Sequence, residues 1–140
     1  MCLSKRKTKK ERTLKKQTIQ TERHHRRSVS LGGSDYPANI SWVPPELHRA
    51  WHVLNGDMNA KQICNKINSL PQKPEGVTVV CKFINGTPVA LRGGHNSKSQ
   101  AKCENAEDIL FKGLTFQQRI DYTNNTWLDP SYHLYCIYKK

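Results

Sequence analysis

No apolar run in this chain approaches the ~18 residues a helix needs to span a bilayer, so no membrane partner is expected. The basic N-terminus lacks the apolar stretch of a secretory signal. No Cys-x-x-Cys pair occurs, and the five cysteines (Cys2, Cys64, Cys81, Cys103, Cys136) are odd in number and widely spaced. That argues against a disulfide framework and a structural zinc knuckle, and for a reducing, cytoplasmic setting. Acidic residues are scarce too: 11 Asp and Glu stand against 23 Lys and Arg, a formal net charge of +12. So strong an excess repels itself unless a polyanion neutralises it, and nucleic acid is the first candidate. Hydrophobic residues make up 36% of the 140, enough for one modest core.

The charge is concentrated first at the N-terminus. Residues 1–20 hold eight Lys or Arg, including Lys5, Arg6, Lys7, Lys9 and Lys10, and one Glu. With so few apolar residues the segment reads as a disordered arm that contacts phosphates, or as a solvated basic tail. A second basic run follows at Arg23-His24-His25-Arg26-Arg27, expected as a short strand. Ser28–Ala38, with Gly32-Gly33, must be a loop in which glycine permits positive φ or close approach. Asn39–Val43 reads as a short buried strand, with Trp42 and Trp51 assigned to the core.

Pro44-Pro45-Glu46 opens a helix and Gly56 closes it. A capped helix follows from Asn59 to about Ile67, completing a module over residues 21–68. Residues 69–140 are expected to form an α+β extension. Val77–Phe83 and Thr87–Leu91 would pair there as a hairpin around Asn85-Gly86. A polar loop covers 92–102, two helices run near Glu104–Lys112 and Phe116–Asn124, and a strand lies at His133–Tyr138. Residues 48–68 align without gaps to 104–124, with Ala50/Ala106, Leu54/Leu110, Gln62/Gln118 and Asn68/Asn124 identical. If this is a degenerate repeat, His48 and His52 correspond to Glu104 and Asp108.

Four of the six histidines lie between positions 24 and 52. His48 and His52 are one helical turn apart and face the same way, a workable metal pair that ordinary helix faces also show. His24 and His25 are adjacent in an extended segment, so they point to opposite sides. One can ligate a metal while the other stays free to take a proton from water. Arg23, Arg26 and Arg27 could hold phosphate around them. The competing reading is a basic patch with incidental histidines.

The order His24-His25, Gly32-Gly33, Asn39-Ile40, His48, His52 resembles the HNH nucleases of ββα-metal fold, specifically the His-His variant found in nuclease colicins. The resemblance covers residues 23–56. It implies a ββα finger, so that the whole is expected to be an α+β chain in which the disordered basic arm precedes this finger and an extension of unknown role follows it. It implies a DNA endonuclease, with His25 as general base and Asn39 orienting the loop and that base. His24, His48 and His52 would hold one divalent ion, Mg²⁺ first, with Zn²⁺, Mn²⁺ or Ni²⁺ as alternatives. A non-cutting nucleic-acid binder on the same scaffold, and an RNA-directed nuclease or toxin domain, are the competing functions. The chain departs from many members in lacking bracing Cys-x-x-Cys pairs. Bracing must come from residues 57–140, with the 77–91 hairpin as candidate. The oligomeric state is left open.

Overall fold

The computed structural model describes residues 20–89 and 103–139. In chain order these form strand β1 (Glu22–His25), strand β2 (Ile40–Val43), helix α1 (Pro45–Asn55), helix α2 (Ala60–Asn68) and strand β3 (Val77–Phe83). Helix α3 (Cys103–Phe111), helix α4 (Phe116–Tyr122), a π-helical turn (Thr123–Trp127) and strand β4 (Tyr132–Tyr138) complete them. The class is α+β, with two separate antiparallel two-stranded sheets, β1–β2 and β3–β4. No helix among the described residues is long and apolar enough to cross a membrane. The arm residues Lys5, Arg6, Lys7, Lys9 and Lys10 lie outside the described residues, as do the polar loop at 92–102 and His95.

Local chemistry accounts for the helices. Pro45 occupies the first helical position of α1, Glu46 sits in its first turn, and Gly56 ends it at φ 55°. α2 and α4 each begin with a reciprocal capping box, Asn59 with Gln62 and Thr115 with Gln118. The two glycines of the 28–38 loop have different duties. Gly32 takes a left-handed conformation at φ 93°. Gly33 has no room for a side chain: a Cβ there would sit 1.8 Å from the Arg27 carbonyl oxygen.

Two expectations are corrected. Val77–Phe83 is a strand, but its partner is β4, in register from Val77↔Tyr138 to Phe83↔Tyr132. Asn85-Gly86 does turn, with Gly86 at φ 88°, yet Thr87–Val89 is not a strand. Pro88 has no N–H to give a ladder, whereas β4 offers seven paired residues and buries Tyr132 and Leu134. The rest of the expected return strand, Ala90 and Leu91, lies outside the described residues. The second correction is Trp42, which is 64% exposed. Strand side chains alternate; Val43, 3% exposed, takes the inward place, so its neighbour must point out.

The aligned segments form the same motif twice, α1–turn–α2–β3 and α3–turn–α4–β4. Two of the elements meet their own counterparts: α1 packs on α3 and β3 pairs with β4. The identical asparagines do identical work. Asn68 accepts from the Val79 N–H and donates to the Val79 carbonyl. Asn124 does the same to Leu134. Each clamps the strand of its own unit, at positions flanking the central Val80↔Tyr135 pair. The core runs through both units, from Val43 to Leu134, and includes Trp51 stacked on Trp127 at 4.9 Å.

Candidate metal centre

The β1–β2 pair has two faces. Glu22, His24, Ser41 and Val43 share the inner one; Arg23, His25, Ile40 and Trp42 share the outer one. What holds the inner face in place is the end of a helix. The last carbonyls of a helix have no partner within it, and side chains from the β1–β2 region cap those of the π-helical turn. His24 Nε2 donates to the Trp127 carbonyl at 3.2 Å, and Ser41 Oγ to that of Thr126 at 2.6 Å. Arg26 donates to Asn124 and Leu128 carbonyls. A cation suits this end of a helix. Among the described residues the brace for the histidine-bearing strand is thus the 124–128 segment, not the expected 77–91 hairpin.

One ring nitrogen from each of His24, His48 and His52 lies within 4.8 Å of the other two, a group that could hold a metal ion. The rings' other contacts decide which nitrogens are protonated. His24 gives its Nε2 proton to a carbonyl. His48 gives its Nδ1 proton to the Glu22 carboxylate at 2.9 Å. With that proton on His48 Nδ1, its Nε2 can accept from His52 Nε2, 3.2 Å away. A neutral imidazole has one N–H and one lone pair. That leaves a lone pair at His24 Nδ1 and another at His48 Nε2. His24 Nδ1 is buried with no hydrogen-bond partner, and the Nε2 atoms of His48 and His52 face each other at 3.2 Å. A buried, orphaned lone pair beside two further imidazole nitrogens is what a bound cation satisfies.

The surroundings of His24 and His52 favour the neutral ring. Burial pushes His24 from the usual 6.5 down to about 3, helped by positive charge at His52, His48 and Arg26 and opposed by the Trp127 carbonyl. Burial, then His48, also lowers His52; Asp57 and the Gly56 backbone oppose the shift. At neutral pH a metal would displace no proton from His24.

The other site residues are distributed as follows. His25 stands on the outer face, its Nε2 2.8 Å from the Asp35 carboxylate. The bond to His25 first, then Arg23, holds Asp35 below the usual carboxylate range. Asn39 is 6% exposed and ties the loop. It accepts from the Arg27 N–H at 2.7 Å and donates to the carbonyls of Arg27 and Ser34. Its bonds fix the loop rather than the His25 ring, which Asp35 holds instead. Arg27 donates to Asp129 at 2.6 Å in a nearly buried pair and to the Thr87 carbonyl. Arg26 and Arg27 are therefore committed internally, and Arg23, half exposed and 3.7 Å from Asp35, is the arginine of the three that reaches solvent. Glu22, Asp35 and the Trp127 carbonyl were not anticipated. Glu22 had a signal, since it lies two residues before His24 on the same strand face. The other two partners had none.

No family model, no curated protein and no solved structure matches the chain.

Proposed function

We propose that the chain is a metal-dependent phosphodiesterase of the HNH type acting on nucleic acid, with β1, β2 and α1 as its ββα finger. The observation that carries this is the convergence of His24, His48 and His52, with the N–H groups of His24 and His48 committed to Trp127 and Glu22 and their lone pairs left over. Three imidazoles without a carboxylate among them suit Zn²⁺ or Ni²⁺ better than Mg²⁺, which prefers oxygen. The proposal therefore puts a zinc-like ion ahead of Mg²⁺. Bound there, the ion would supply charge stabilisation at phosphorus and at the departing oxygen.

The chain's own residues divide the remaining work. His24, His48 and His52 hold the ion, and Glu22 and the Trp127 carbonyl fix two of the ring orientations. His25 takes the proton of the attacking water. Asp35 orients its ring and stabilises the imidazolium that forms, as a carboxylate does for any histidine base. Arg23 supplies a guanidinium for phosphate, and the +12 chain as a whole attracts the polyanion. DNA is the substrate the resemblance favours, with RNA the competitor.

The test is incubation of supercoiled plasmid and of structured RNA with metal-stripped protein, then Zn²⁺, Ni²⁺, Mn²⁺ or Mg²⁺, beside His25→Ala and His48→Ala. Wild type should nick, with Zn²⁺ or Ni²⁺ ahead of Mg²⁺. His25→Ala should bind metal and not cut. No cleavage with any metal would leave a non-cutting nucleic-acid binder. Cleavage that survives His25→Ala would remove the general-base role.

A further inference from the structure

Trp42 is out of place for a buried-strand residue. It is 64% exposed on a strand of four residues, while Trp51 and Trp127 are buried and stacked on each other. An exposed tryptophan on so short a strand leaves most of its surface to solvent. Its neighbours lie on the same outer face. Arg23 is its direct cross-strand partner, and His25 is the diagonal one, opposite Ile40. Diagonal cross-strand neighbours are about 7–8 Å apart, within reach of an aromatic side chain. That separation is comparable to one nucleotide of an extended strand. A second aromatic, Tyr36, is 76% exposed and adjoins Asp35, the residue bonded to His25. The outer face of β1–β2 thus presents a proton-accepting imidazole, an available guanidinium and flat aromatic surface at one small place.

We infer that Trp42 is a base-stacking platform beside the reaction centre, and that the site takes an unpaired nucleotide next to the phosphate it acts on. In a duplex the faces of the bases are covered by their neighbours, and a tryptophan has no face to stack on. In a single strand, a frayed end or a flap they are available, and every base offers one. Arg23 meets the phosphate of that nucleotide while Trp42 meets its base. The preference is for single-stranded over double-stranded substrate, without preference among bases. This deepens the phosphodiesterase reading and rests on it for the role of His25, but not for the binding itself.

The experiment uses the full chain in EDTA, so that binding is read without cleavage. Trp42 is the solvent-exposed one of the three tryptophans, so the quenchable emission is its own. A short mixed-sequence oligodeoxynucleotide should quench it saturably and shield it from acrylamide; the blunt duplex of the same sequence should do neither. By anisotropy of labelled oligonucleotide, Trp42→Ala should bind the single strand roughly tenfold or more weakly and the duplex as before. Trp42→Phe, which keeps a ring, should recover most of the loss. Equal quenching by duplex and single strand would overturn the inference, as would unchanged single-strand affinity in Trp42→Ala or no recovery in Trp42→Phe. A chain that cuts nothing but shows these effects would keep the platform and lose the nuclease. A chain that cuts but shows none of them would do the reverse.

Discussion

Replacing Arg27 with methionine tests the placement of the arginines. Arg27 and Asp129 form a nearly buried pair, with side chains 12% and 6% exposed. Asp129 also faces Arg26, whose pKa burial lowers and Asp129 raises. Two largely desolvated guanidiniums therefore depend on one carboxylate. Arg27→Met leaves Asp129 with the Ser131 N–H and the more distant Arg26 and removes the donor to the Thr87 carbonyl. Breaking one side of a buried pair costs about 3–5 kcal/mol. With a urea m-value of about 2 kcal/mol per M, the midpoint should fall by about 2 M. Arg23→Met, at a half-exposed position 3.7 Å from Asp35, should move it by less than about 0.5 kcal/mol. The roles should exchange in binding, where Arg23→Met weakens nucleic-acid affinity and reduces its salt dependence. The assay is urea unfolding followed by circular dichroism in EDTA, beside a salt titration of oligonucleotide binding. An Arg27→Met variant as stable as wild type, with the binding defect instead, would return Arg27 to the phosphate and refute the internal assignment.

Three further outcomes follow from the geometry. Metal-stripped protein should take up one equivalent of Zn²⁺ in competition with a chromophoric chelator. Glu22→Gln should weaken that affinity roughly 10–100-fold through His48, and His48→Ala should abolish tight binding. The metal-free fold should be acid-labile: the unfolded chain protonates His24 near 6.5, while the folded ring resists until about 3. Stability is then full above about pH 6.5 and falls by up to about 1.4 kcal/mol per unit as pH drops toward 3; urea unfolding should show a flatter dependence in His24→Gln. Asn124→Ala should cost about 2 kcal/mol by freeing two Leu134 backbone groups. Asn68→Ala should cost less at its half-buried position, both read as shifts in thermal midpoint.

What could be read from the chain beforehand was what short-range chemistry dictates. The prolines, Glu46 and Gly56 bound α1 because caps act within a turn. His48 and His52 share a face because helical spacing fixes it, and His24 and His25 diverge because strands alternate. The capping boxes at Asn59 and Thr115 are legible for the same reason. Long-range partnership was not legible. Asn85-Gly86 announces a turn but not which strand pairs with β3, and Pro88 weighed against the nearer one. Arg26 and Arg27 look like phosphate ligands in a basic run, because their partners at 124, 128 and 129 lie about a hundred residues away. The adjacent Trp42 and Val43 gave no alternation in four residues, so the sequence did not say which of them faces in.

The bond between His24 and the Trp127 carbonyl spans 103 positions of the chain, and that separation sets an order of events. During synthesis, at about 5–20 residues per second, His24 emerges seconds before the carbonyl that will orient it. Contacts this distant form late, after loop closure has been achieved by the β3–β4 and α1–α3 pairings. A nascent or truncated chain ending before residue 127 carries His24, His48 and His52 but lacks the carbonyl that orients the His24 ring. Assembly of the His24, His48 and His52 group therefore waits on the 124–128 segment, and the proposed hydrolytic activity would wait with it.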